Sequence, residues 1–230
     1  MSSPIASDKK GSIRNFMIGL HQRLSHVKRV SILSRRIGVI IGGLYSHEAT
    51  IRCLDAGCGD MKIAEGVNRL CSRTDWQCID LYDLPEHMRK NGRWSKYQKY
   101  DGRHFPFSDA SFDIVLFCDV LHHATNIPDL LRDAARVGRR IIIKDHFEYS
   151  FYSRVMLKVM DFIGNWGYGV PLPRKYFTPV SFQELCSSVG LSAAQLETGI
   201  DLYSHLPVIR HLLKPEWHFI AVLRPASVGQ

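Results

Sequence analysis

The segment Leu54-Asp55-Ala56-Gly57-Cys58-Gly59-Asp60 constrains this chain more than any other. A short apolar run, Ile51 to Asp55, leads into it, and a stretch of helical period, Met61 to Cys71, follows. Glycines between a buried strand and a helix let the backbone turn sharply and let a ligand approach without a side chain in the way. In open α/β sheets, ligands sit outside the carboxyl ends of the strands at such a turn. A Gly-x-Gly pair alone is weak evidence. Here, however, acids close the next strand candidates in turn: Asp80 in Trp76 to Leu81, Asp101 after Tyr97 to Tyr100, and Asp119 at the end of Phe112 to Asp119.

The rest of the chain keeps the alternation of strand and helix. Ile114-Val115-Leu116-Phe117 is continuous apolar sequence, as in a parallel strand covered on both faces. Pro128 to Val137 predicts a helix capped by Asn126, with the proline in its first turn. Ile141-Ile142-Ile143 predicts a further buried strand, ending at Lys144-Asp145-His146. A helix over Ser181 to Val189 follows, with Ser181 and Glu184 at capping-box spacing and Gly190 beyond its end. Leu191 to Thr198 and Trp217 to Leu223 read as closing strands. The pattern predicts an α/β protein with a mostly parallel, doubly wound sheet. At 230 residues the chain supports one good-sized core and no second domain.

The basic charge is confined to one end. Between Asp8 and Glu48 there is no acid, while Lys9, Lys10, Arg14, Arg23, Lys28, Arg29, Arg35 and Arg36 together equal the net charge of +8. The same region places apolar residues from Ile13 to Leu44 in steps of three or four. That predicts an amphipathic helix, or two helices broken near Ser25 to Ser31 or at Gly38. With the remainder near neutral, nucleic acid is a poor partner for the body of the chain. The basic helix reads as a cap with its charges on the solvated face; the competing reading is peripheral docking on an anionic membrane. No signal peptide and no run of the roughly 18–20 apolar residues needed to span a bilayer is read, so the expected location is cytoplasmic, with membrane-peripheral contact as the variant. The six cysteines form no Cys-x-x-Cys pair and read as buried thiols, and no spacing of cysteine or histidine predicts a metal.

The chain resembles the class I S-adenosylmethionine-dependent methyltransferases, specifically the small-molecule branch called methyltransferase type 11. The segments that carry the resemblance are LDAGCGD (54–60), CIDLYD (78–83) and YDGRHFPFSDASFDIVLFCDVLHH (100–123), in the family's order and spacing. It implies a Rossmann-like seven-stranded, mostly parallel sheet with an N-terminal helical cap and an aromatic-rich lid inserted after the fifth strand. The single domain then divides into a basic cap (1–46), a cofactor-binding core (47–146), a substrate lid (147–180) and a closing helix with strands (181–225). The resemblance places Asp55, Gly57, Cys58 and Gly59 at the methionine end of the cofactor. It gives the ribose hydroxyls to Asp80, with Leu81 beside it. The adenine amino group goes to Asp101, with Gly102 and Arg103 near the ring, and Asp119 and Val120 lie by the methionine moiety. Met61 stands where the family usually has a third glycine, which crowds the turn.

The implied reaction is in-line displacement of a methyl group from S-adenosyl-L-methionine, leaving S-adenosyl-L-homocysteine, with no metal required. A hydroxyl acceptor needs a base, and His146, His123 and His122 lie near strand ends on the expected side. Each is equally open to a packing role. The aromatics and glycines of Phe147 to Phe177 suit a hydrophobic acceptor, lipid-like or a natural-product scaffold, with Tyr152, Trp166 and Tyr168 as candidate contacts. The rivals are a nicotinamide dehydrogenase, an RNA or DNA methyltransferase, and a cofactor-binding relative without catalysis. Oligomeric state is not legible.

Overall fold

The computed structural model describes residues 26–83, 96–164, 172, 173 and 175–226. Among these, seven strands form one sheet: β1 (Ile51–Ala56), β2 (Thr74–Asp80), β3 (Tyr97–Lys99), β4 (Phe112–Cys118), β5 (Gly138–His146), β6 (Leu191–Thr198) and β7 (His218–Pro225). Their spatial order is β3-β2-β1-β4-β5-β7-β6, with β7 antiparallel to both neighbours and the remaining pairs parallel. The order reverses between β1 and β4, so the crevice at the carboxyl ends of those two strands is the natural ligand site.

The helices are α1 (Val27–Leu44), α2 (Lys62–Leu70), α3 (Ile127–Val137), α4 (Phe151–Gly164), α5 (Pro179–Ser188) and the short α6 (Pro207–Leu212). Two apolar layers cover the sheet. Leu33, Ile37, Ile41, Val67 and Trp76 pack on one face, and Leu131, Val137, Phe147, Phe182 and Phe219 pack on the other. Each such buried side chain contributes about 1.5–3 kcal/mol. No helix among the described residues is long and apolar enough to cross a membrane.

Three expectations change. Gly38 does not break α1; the helix runs through it, and a Cβ added there would make only ordinary contact with Leu70 Cβ at 3.7 Å, whereas at Gly66 of α2 it would stand 2.8 Å from Ser34 Cβ, so Gly66 is the glycine that lets the two helices approach. The cap of α5 is Thr178, not Ser181: Thr178 Oγ1 accepts from the Ser181 amide, Ser181 Oγ returns the bond, and Pro179 begins the helix. Arg29 and Arg36 do not lie on a solvated face, because both reach the body of the protein, Arg29 to Asp119 and Arg36 to Glu197. Helix α6 carries no signal that the sequence reading detected.

Candidate active site

The glycine elbow is fixed by its neighbours. The amides of Gly57 and Cys58 both donate to the Ile79 carbonyl, at 2.8 and 3.1 Å, tying the end of β1 to β2. Gly57 has φ +79°, and a Cβ there would stand 2.5 Å from Val120 Cγ2, so only glycine lets the elbow pass the tip of β4. Gly59 has φ +51°, but a Cβ built on it meets nothing within 4 Å. The first glycine is needed for packing. The second faces open space, as close approach of a ligand requires.

Met61 occupies the left-handed region, φ 58°, where the family's third glycine would be unstrained. Its side chain is buried in the core beside α1 and α2 and does not enter the crevice. The crowding expected of it is therefore backbone strain, set against apolar burial. Asp119 shares the left-handed conformation at the end of β4, φ 58°.

The strand-tip carboxylates form two sets. Asp80 accepts from the Gly59 amide (Oδ2, 2.8 Å) and from the Tyr82 amide (Oδ1, 3.2 Å). Exposed Asp101 accepts from the amides of Arg103 (2.8 Å) and His104 (3.2 Å) through Oδ1, and these bonds lower its pKa. Both keep lone pairs for a further donor. Asp55, by contrast, is buried, and burial together with Asp80 and Asp60 raises its pKa to about 8. It is neutral at pH 7 without a cation beside it. Asp60 is held low: burial would raise it, but His26 at 3.1 Å and Lys62 at 2.6 Å outweigh that. His26 and Arg29 thereby clamp the start of α1 over the crevice.

At the end of β5 lies a feature the sequence reading missed as a unit. Lys144, Asp145 and His146 are buried at the edge of an otherwise isoleucine-rich strand. Lys144 Nζ bonds Asp119 Oδ1 and lies 3.3 Å from His146 Nε2. Asp145 Oδ1 takes His122 Nδ1 at 2.6 Å and the His146 amide at 2.8 Å. Asp161, from α4, approaches His122 Nε2 at 3.4 Å and accepts from the Tyr176 hydroxyl. His218, at the start of β7, packs edge-on to His146 with ring centroids 4.9 Å apart.

This packing separates the candidate bases by charge. Burial would depress His122, but Asp145 and Asp161 raise its pKa to about 9, so it is an imidazolium. His146 is pushed down to about 3 by burial and by Lys144, and it is neutral. Lys144 falls to about 7 through burial and the Arg29 charge. His123 is partly exposed, its ring 4.1 Å from that of His122. Lys144 and Asp145 anchor the group. Asp161, Tyr176, His218 and Arg29 carry no sequence signal for it, because their proximity is tertiary.

The aromatic segment divides. Phe147 stacks on Phe219 at 3.9 Å and, with Phe177 and Phe182, is core rather than lid. Helix α4 instead exposes Phe151, Tyr152, Val155, Val159, Phe162 and Ile163. Tyr152 is half exposed, edge-on to Trp217. Trp166 and Tyr168 lie outside the described residues.

The sheet order and the elbow at its switch point define a class I methyltransferase fold. Residues 54–140 match the methyltransferase domain model of the type 11 family. The chain thus carries a methyltransferase domain over residues 54–140, within a sheet whose order is typical of class I methyltransferases. Solved structures agree on the fold. The YcgJ protein of Bacillus subtilis is 14% identical, with a TM-score of 0.59 over 85% of this chain and 100% of that one. An S-adenosylmethionine-dependent methyltransferase of Aquifex aeolicus is 12% identical, with a TM-score of 0.54 over 93% and 98%. The [4+2]-cyclase SpnF is 14% identical, with a TM-score of 0.56 over 83% and 81%. A cyclase among these neighbours shows that likeness at this level establishes fold and not reaction. No curated protein matches the sequence.

The crevice fits the family's cofactor, S-adenosylmethionine. Gly59 leaves room, Asp80 and Asp101 retain acceptor capacity, and buried Asp55 would ionise beside a cationic group.

Proposed function

We propose that the protein transfers a methyl group to a small hydrophobic acceptor, with His146 taking the acceptor's proton. The observation that carries this reading is the contrast at the end of β5. A buried, neutral imidazole sits beside Asp119 (Nε2 to Oδ1, 3.5 Å), and α4 exposes a face of six large apolar side chains just after that strand.

When bound, S-adenosylmethionine supplies the electrophilic methyl carbon. The chain's own residues do the rest. Asp55, Gly57, Cys58 and Gly59 line its methionine end, with Asp119 and Val120 facing them from β4. Asp80 and Leu81 hold the ribose side, and Asp101 and Gly102 the adenine side. His122, held between Asp145 and Asp161, orients the group. Tyr152 belongs to the acceptor's apolar surroundings.

His146→Gln is expected to lower kcat by about 10²–10⁴-fold while leaving affinity for S-adenosylhomocysteine unchanged. The readout is methyl transfer from labelled cofactor to a panel of apolar phenols, alcohols and amines. Full turnover in the variant removes His146 as base. Labelling of transfer RNA or duplex DNA instead of the panel overturns the small-molecule reading.

A further inference from the structure

We propose that His122, His123 and Asp161 form a binding site for a divalent first-row transition cation such as Zn²⁺ or Fe²⁺. One donor atom from each residue lies within 4.8 Å of the other two. A cation bound by nitrogen and carboxylate oxygen at roughly 2.0–2.2 Å fits between donors so spaced. Two imidazoles and one carboxylate, on a short turn and a facing helix, form a ligand set that leaves coordination positions open.

The surroundings choose this group over its neighbour. His122, Asp145 and His146 also lie close together, but the Lys144 ammonium stands 3.3 Å from His146 Nε2 and opposes a second cation there. On the other side of His122 the arrangement is favourable. Its Nδ1 is held by Asp145 at 2.6 Å, the carboxylate–histidine pairing that orients a metal-ligating imidazole and raises its basicity. That leaves Nε2 as the donor. Nε2 is buried, faces Asp161 Oδ2 at 3.4 Å, and lacks a hydrogen-bond partner among the described residues. The Tyr176 hydroxyl fixes Asp161 in turn. His122 and Asp161 are therefore already oriented from behind.

Binding displaces the His122 proton to solvent, leaving Nδ1–H on Asp145 and the Nε2 lone pair on the metal. If the acceptor is an alcohol or phenol, its oxygen bound at an open position is acidified by the cation. That consequence rests on the methyl-transfer reading; cation binding does not.

The test uses the full chain, metal-free and without cofactor. Co²⁺ is titrated and followed by its visible d–d absorption, and Zn²⁺ by calorimetry. One equivalent is expected to bind. Asp161→Asn and His123→Gln should each weaken it at least about 100-fold, and Asp145→Asn by about 10–100-fold. His211→Gln, a change on the surface, should leave it unaltered. Should Asp161→Asn fail to fold, His123→Gln decides alone. Absence of Co²⁺ absorption in the wild type, or undiminished binding in His123→Gln, overturns the site. Loss of methyl transfer with cation binding intact overturns the function and spares the site.

Discussion

The two ends of the crevice hold their carboxylates in opposite ways. At β2 and β3, Asp80 and Asp101 lie at or near the surface and answer backbone amides. At β4 and β5, Asp119, Asp145 and Asp161 answer side-chain cations and imidazoles inside the fold. An exposed carboxylate on an amide turn is free to exchange partners with a ligand at low cost. A buried one is locked, because each charge there has lost its water and depends on its partner. The first arrangement suits reversible cofactor binding. The second suits fixed protonation states around a reaction.

That difference ranks the expected effects. Asp145→Asn should be the most damaging, lowering stability by about 3–5 kcal/mol in urea unfolding, since it leaves the His122 imidazolium buried with one carboxylate fewer. A loss below about 1 kcal/mol would mean the group is not locked.

His122→Gln sharpens the same point through pH. The folded pKa of His122 is about 9, against an unfolded value of roughly 6.5. Its stabilisation is fully present below about pH 6.5 and is lost as pH rises through about 9. The stability gap between wild type and variant should close across that window.

Asp80→Ala should weaken S-adenosylhomocysteine binding at least tenfold, about 1.4 kcal/mol, while the protein stays folded. It removes the proposed ribose acceptor and also releases the Gly59 amide. Asp101→Ala should have the smallest effect, a several-fold loss of affinity with no change in unfolding midpoint, because its bonds serve only its own turn. If Asp101→Ala destabilised the fold as much as Asp145→Asn, the contrast between the two ends would disappear.

The same contrast explains what was legible in the sequence. Gly57, Gly59 and the strand-tip acids follow from local rules: a sharp turn demands glycine, and an apolar strand ends where a polar residue faces the crevice. The elements β1 to β5 and the Asn126 cap follow from the same rules. The locked group does not. Asp161, in α4, and Tyr176, just before α5, sit 39 and 54 residues beyond His122, and only tertiary packing brings them to it. Arg29 reads as one more surface cation, because helical period gives the face of a residue and not the partner a long side chain will reach. Thr178 is not legible as a cap because a hydroxyl on Ser181 stands in for the acidic residue that the capping-box pattern favours.

The central claim is that the elbow and its strand-tip carboxylates hold an adenosyl cofactor. It is tested most directly by thermal unfolding of the wild-type chain with S-adenosylhomocysteine and, separately, with NAD. A ligand at about 100 times its Kd stabilises the folded state by about 2.7 kcal/mol. The midpoint should rise with S-adenosylhomocysteine and stay fixed with NAD. A fixed midpoint with S-adenosylhomocysteine, or a rise with NAD alone, would contradict the account.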